Sequence, residues 1–137
     1  MKEYLHGAMD QNALQQLSML ALAHVGDGVY ELMVRTRLCS KGLATAKTLH
    51  KETVARVRAP AQAIAMESIL PLLTEFEEDL YRRGRNTKVH AIPKGADPKE
   101  YHSATALEAL FGYLYLAGNT ARLCELFEAI CENNPDF

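Results

Sequence analysis

The sequence predicts an all-α helical bundle, folded as a single domain over residues 1–137. Three observations carry this. The chain is rich in Ala and Leu, lacks Trp and has only five Pro, a composition that suits helices. Two stretches, residues 20–34 (LALAHVGDGVYELMV) and 104–117 (ATALEALFGYLYLA), are almost wholly apolar and helix-like. Around them, capping residues precede apolar runs, and Gly or Pro follows. A chain of 137 residues is long enough to bury a real core.

The elements follow in order. Within a polar opening segment, residues 1–17, Asp10 or Asn12 can cap a short helix carrying Leu14 and Leu17. Ser18 caps the long helix after it. On that helix Leu22, Val25, Val29, Leu32 and Met33 recur at helical spacing and are expected to face the core. Asp27 falls off this stripe, beside Tyr30, Glu31 and Val34. The helix should stop near Gly42, a suitable residue just past a helix end. Thr45 can cap the next, with Leu49, Val54 and Val57 inward and Lys47, His50, Lys51, Arg56 and Arg58 on its polar face. Pro60 breaks it and opens another over 60–70, with Ala61, Ile64, Ala65, Ile69 and Leu70 inward, limited by Pro71. Thr74 with Glu75, Glu77 and Glu78 is a clear helix start, its acids matched to the helix dipole. That helix carries Phe76, Leu80 and Tyr81 and should end at Gly84. Residues 89–100, with Pro93, Gly95 and Pro98, read as a long irregular connector. Tyr101 to Ser103 lead into the second apolar helix, which should end near Gly118. Asn119 or Thr120 caps the last helix, with Leu123, Leu126, Phe127 and Ile130 as its core stripe, and 133–137 reads as a frayed tail.

Charge and cysteine content narrow the setting. The formal net charge is −2, so overall charge does not announce a nucleic-acid binder. Its distribution says more: almost all Lys and Arg lie between Arg35 and Lys99, while the last third is acidic apart from Arg122. This can give one strongly positive zone. The three cysteines, Cys39, Cys124 and Cys131, lack metal-ligand spacing and point to a reducing compartment. Cys124 and Cys131 share a helical face and are expected to fill core space. No signal peptide is visible, and no apolar run reaches the roughly 18–20 residues that a bilayer requires. A soluble, cytoplasmic protein without a membrane partner is expected.

Two acids stand out against this background. Asp27 lies inside an apolar helix between Gly26 and Gly28. A carboxylate there is costly to desolvate without a cationic partner, and each glycine weakens the helix by roughly 1 kcal/mol. Glu108 repeats the pattern, with Gly112 one turn on along the same face. If the two helices cross near Gly26 and Gly112, Asp27 and Glu108 meet. Two like charges in a poorly solvated site call for a divalent cation, and an all-carboxylate set favours Mg²⁺ or Mn²⁺. The plain alternative is a pair of half-exposed acids at the rim of a core. The five histidines show no paired spacing, so zinc is not indicated. VGDGVYE is no phosphate loop, because it lies within a helix pattern. Ser18 and Ser103 have no base in reach by sequence.

The densest basic run is RRGRNTK, residues 82–88, with Arg82, Arg83, Arg85, Asn86 and Lys88 around a glycine. Arginines in a loop at a helix end suit phosphate contacts. Dipole compensation accounts for the first two but not for the whole run.

Together these motifs are familiar. HVGDGVYELMVR resembles the signature helix of the ribonuclease III family, and ALEALFGYLYLAG resembles that family's second acidic helix. The VYE after the aspartate, the RRGRN-type run and the chain length resemble the Mini-ribonuclease III branch, a lone ribonuclease III-type endonuclease domain without a double-stranded-RNA-binding domain. The resemblance covers roughly residues 18–130. It implies Asp27 as catalytic aspartate and Glu108 as metal-binding glutamate, both serving Mg²⁺, with Mn²⁺ able to substitute. Larger members carry further acids where this chain has Ala23 and Thr105; the Mini branch is similar in lacking them.

The resemblance further implies a homodimer that hydrolyses double-stranded RNA, one centre per strand, leaving 5′-phosphate and 3′-hydroxyl ends. The apolar surface of the Asp27 helix is a reasonable dimer contact. Arg82, Arg83, Arg85, Asn86 and Lys88, with Arg56 and Arg58, would supply RNA affinity. The implied substrate is precursor 23S ribosomal RNA in bacteria or plastids, with a ribosomal protein or the pre-ribosome as a further partner. Two other classes stay open. One is a catalytically silent dimeric RNA-binding or ribosome-associated module, for which Ala23 and Thr105 speak. The other is a plain helical adaptor.

Overall fold

The computed structural model describes residues 3–5, 7–42, 45–88 and 91–137. Parts of three expectations lie outside them: the opening segment (Met1, Lys2, His6), the connector (Val89, His90) and the histidine pattern (His6, His90). The helices are α1 (Gln11–Gln15), α2 (Met19–Ser40), α3 (Ala46–Val57), α4 (Ala59–Ile69), α5 (Glu75–Arg85), α6 (Pro98–Leu116) and α7 (Thr120–Asn133), with a 3₁₀ turn over Leu70–Leu72. No strand occurs among the described residues, so the all-α helical bundle stands. No helix among them is long and apolar enough to cross a membrane.

The bundle is built around α6, which packs on α2, α4, α5 and α7. Its sequence is apolar on nearly every side, which is what a helix enclosed by others requires. Ala106, Leu107, Ala109, Leu110 and Phe111 have no exposed surface at all. The helix starts at Pro98, inside the expected irregular connector and ahead of the Tyr101 to Ser103 lead-in, because Asp97 caps it by accepting from the Lys99 N–H at 2.9 Å. Proline in a first turn opens a helix rather than prolonging a loop. The caps expected at Asp10, Ser18, Thr45, Thr74 and Asn119 all form, and Thr74 with Glu77 closes a full capping box.

α2 and α6 cross in backbone contact. A Cβ on Gly26 would fall 1.6 Å from the Glu108 carbonyl oxygen, and one on Gly112 would fall 1.9 Å from the Leu22 carbonyl oxygen. Only glycine fits at either position. The close approach rotates α2 from the expected orientation: its buried stripe is Leu22, Ala23, Gly26, Tyr30, Val34 and Leu38. Val25, Val29 and Met33 are half-buried, and Leu32 is 58% exposed. Tyr30 takes the central place, edge-on to Phe111 at 5.3 Å and to Phe127 at 6.0 Å.

Other expectations are corrected by packing. On α4 the inward residues are Gln62, Ala65, Met66 and Ile69, while Ile64 is exposed. Gly84 does not end α5. It is buried within the last turn, where a Cβ would meet the Ala106 Cα at 2.9 Å, and the helix continues to Arg85. On α7 Cys131 is buried but Cys124 is exposed. Residues 134–137 do not fray: Phe137 is buried edge-on to Tyr30 and Phe127, and the Arg56 guanidinium lies 5.9 Å from its ring centre. One buried ion pair joins α5 to α7. Arg122 donates from Nε and Nη2 to the two Glu77 oxygens at 2.9 and 2.7 Å, from Nη2 to the Leu72 carbonyl at 2.8 Å, and from Nη1 to Glu125.

Candidate active site

Asp27 and Glu108 meet. The glycine crossing brings the third turn of α2 against the middle of α6, and the carboxyl group of Asp27 lies within hydrogen-bonding reach of that of Glu108. Both line a cleft of about 540 Å³ between α2, the α3–α4 corner and α6, whose walls also include Ala23, His24, Val57, Gln62, Tyr101 and Thr105. Asp27 is exposed on the cleft's solvent side, and Glu108 is half-buried.

Burial in the first place, and then the adjoining Asp27 carboxylate, push the Glu108 carboxyl up to about 8, while the Gln62 amide opposes this weakly. Among the described residues no salt bridge reaches either acid. A carboxyl raised in this way keeps its proton until a cation displaces it, and the two carboxylates then present the hard oxygen donors that Mg²⁺ or Mn²⁺ takes. The donor set fits such an ion with much of its coordination left to water, because no group of three or more His, Cys, Asp or Glu side chains gathers among the described residues. Ala23 and Thr105 are buried in the same wall, and the Thr105 hydroxyl donates to the Tyr101 carbonyl at 3.0 Å.

The basic residues divide. Arg82 and Arg83 both bridge to Asp79, at 2.9 and 3.6 Å, and remain more than half exposed. Arg85 stacks over the Tyr81 ring at 5.1 Å, Asn86 caps α5, and Lys88 is exposed. Arg82, Arg83 and Arg85 belong to the last turns of α5, and Asn86 to Lys88 follow just past its end. This basic stretch stands on a different side of α6 from the acids, since Gly84 meets Ala106 and Ala109 whereas Ala104, Thr105 and Glu108 line the cleft. Arg58 is exposed at the α3–α4 corner, between the cleft residues Val57 and Ala59. Arg56 faces elsewhere. Its guanidinium donates to the Phe137 and Asp136 main-chain oxygens at 3.2 and 2.6 Å and to the Glu52 carboxylate at 3.0 Å, so those donors are turned away from a phosphate.

Sequence reasoning missed Gln62. It is 3% exposed, and its Nε2 donates to the Val57 carbonyl at 2.7 Å and to Glu108 Oε2 at 3.4 Å. The available signal was a lone polar residue within the apolar run APAQAIAM, the same signal that marks Asp27.

Comparison with known proteins agrees with this arrangement. The Ribonuclease III domain profile matches residues 20–119. Mini-ribonuclease 3 of Symbiobacterium thermophilum is 47% identical over 116 residues, covering 85% of this chain and 89% of that protein. Mini-ribonuclease 3 of Thermoanaerobacter sp. is 45% identical over 120 residues, covering 88% of this chain and 84% of that protein. A crystal structure of a Fusobacterium nucleatum protein superposes with a TM-score of 0.78 at 29% identity, covering 86% of this chain and 96% of the other. The chain therefore belongs to the ribonuclease III family of endoribonucleases, in its Mini-ribonuclease 3 branch.

Proposed function

We propose that the chain is a single catalytic domain that cleaves double-stranded RNA with the help of a divalent cation held by Asp27 and Glu108. The observation that carries the reading is the meeting of these two acids, with no basic partner among the described residues, across the Gly26–Gly112 crossing. When bound, Mg²⁺ supplies an activated water for in-line attack on the phosphodiester and stabilises the departing 3′ oxygen, giving a 5′-phosphate. Asp27, on the exposed side, is open to the scissile phosphate; Glu108, deeper, is held by α6. The fixed backbone contact between α2 and α6 keeps both carboxyl groups in position, so little reorganisation is needed at the moment of reaction.

The active form is a homodimer joined through α2. A Cβ on Gly28 would meet nothing within 4 Å among the described residues, so this glycine, unlike Gly26, is not required by a close approach there. It lies on an apolar face with Val25, Val29, Leu32 and Met33, continued by Leu123 and Cys124 of α7. A second copy docked there by two-fold symmetry gives each RNA strand its own acid pair. Arg58 beside the cleft and Arg82, Arg83, Arg85, Asn86 and Lys88 at the end of α5 contact phosphates, reading duplex RNA by shape. The substrate is precursor 23S ribosomal RNA, met in the bacterial cytoplasm on the assembling ribosome.

The test is a gel assay of purified protein on a long RNA duplex, with and without Mg²⁺. Cleavage is expected only with the metal, and Asp27→Asn should abolish it while leaving folding and RNA binding intact. Normal cutting by Asp27→Asn would remove the site. A second reading, a catalytically silent RNA-binding module, draws on Ala23 and Thr105 in the cleft wall; binding without cleavage in either Mg²⁺ or Mn²⁺ would select it.

A further inference from the structure

Gln62 is a buried amide at the back of the acid cleft, and its orientation is fixed by chemistry. Both of its partners, the Val57 carbonyl and the Glu108 carboxylate, are acceptors. The NH₂ group must face them, because the reversed amide would set Oε1 against the Val57 oxygen. As a result Oε1 is buried with no hydrogen-bond donor. An unpaired buried acceptor destabilises a fold, and an apolar side chain of similar length would avoid it. The Val57 bond alone accounts for one N–H, closing the end of α3. It does not account for the second, which is aimed at Glu108.

We propose that Gln62 is a positioning residue for Glu108. The short bond to Val57 anchors the amide, and the second N–H holds Glu108 Oε2 so that the carboxyl group turns its other oxygen toward Asp27 and the cation they share. Because the donor is neutral, it orients the carboxylate without cancelling the charge the cation needs, as an arginine or lysine would. The link also ties the α3–α4 corner to α6 across the cleft. This inference rests on reading Asp27 and Glu108 as the cation's carboxylates.

The experiment measures Mn²⁺ binding to the RNA-free protein by calorimetry, together with kcat and KM for duplex RNA cleavage, in Gln62→Met, Glu108→Gln and the double variant. Loss of a group that orients a metal ligand weakens metal affinity by roughly tenfold to a hundredfold. Gln62→Met is expected to weaken Mn²⁺ binding by that amount and to lower kcat with KM for RNA unchanged. In the Glu108→Gln background it should add nothing. A purely structural Gln62 would lower thermal stability while Mn²⁺ affinity held, and that result overturns the proposal. Additive effects in the double variant overturn it as well. If Gln62→Met does not fold, Gln62→Asn carries the test, since its shorter amide cannot reach both partners; full Mn²⁺ affinity there is likewise fatal. Failure of the underlying reading looks different, because Glu108→Gln itself would then bind Mn²⁺ and cleave RNA normally.

Discussion

Glu77 and Glu108 both sit on helices packed into the bundle, yet their carboxyl groups are driven in opposite directions. Burial would raise Glu77, but hydrogen bonds and charge from Arg122, with the Thr74 backbone N–H, outweigh it and hold the group below the usual carboxylate range. Glu108 has no such partner: burial and Asp27 act together and push it up to about 8. The first acid has its cation built into the chain and serves to fasten α5 to α7. The second faces another acid and has no basic partner among the described residues. A buried carboxylate is therefore read by what faces it rather than by how deeply it lies.

The sharpest test exchanges the two acids for amides. Glu108→Gln should lower duplex RNA cleavage by about 10³-fold, on the scale of losing a group that stabilises transition-state charge, while the metal-free protein stays folded. Glu77→Gln should do the reverse, lowering the midpoint of urea unfolding while the folded protein cleaves at its normal rate. A Glu77→Gln enzyme that folds normally and cleaves poorly would break the comparison. Next in size, Arg122→Ala leaves Glu77 buried without its partner, and denaturant titration should show a loss of about 3 kcal/mol.

The pH response separates the acids again. Glu108 binds its proton more tightly folded than unfolded, so its contribution to stability is full below pH 4.5 and is lost as pH rises toward about 8. Glu77, shifted down, contributes above its unfolded value of 4.5 and loses that contribution as pH falls below it. Metal-free protein should accordingly lose about 1–2 kcal/mol between pH 5 and 8.5, after discounting for solvent at the half-buried group. Differential scanning calorimetry should show this slope flattened by Glu108→Gln or by saturating Mg²⁺. The smallest stability effect belongs to the exposed arginines, since surface ion pairs contribute little. Replacing Arg83 and Arg85 together with Ala should leave the melting temperature nearly unchanged. It should weaken duplex RNA binding and reduce the slope of log K against log salt by about 2. An unchanged slope would take the basic turn out of the RNA interface.

The helices, their caps and the meeting of Asp27 with Glu108 were legible because each depends on local signals: a cap two or three residues from its N–H, or a glycine one turn from an acid. The facing of helices was less so. The apolar stripe of α2 has two candidate sides, and the choice between them is made by the glycine contact with α6, a distant element. Gly84 read as a helix end because a glycine after a basic turn usually is one, whereas here Ala106 requires its small size. Phe137 and Arg56 were misjudged for the same reason: their contacts with each other and with Tyr30 lie roughly eighty to a hundred positions away along the chain. Gln62 carried a local signal, a polar residue in an apolar run, but its partner Glu108 is again remote.

Gly84 has one more consequence. Among residues 82–88 it is the buried one, seated on α6, while Arg82, Arg83, Arg85, Asn86 and Lys88 point outward from the same turn. A buried contact and an exposed basic face are thus interleaved within a single stretch, yet they answer to separate constraints. A library randomising 82, 83, 85, 86 and 88 with 84 held fixed should therefore change the charge of this face while leaving the fold intact.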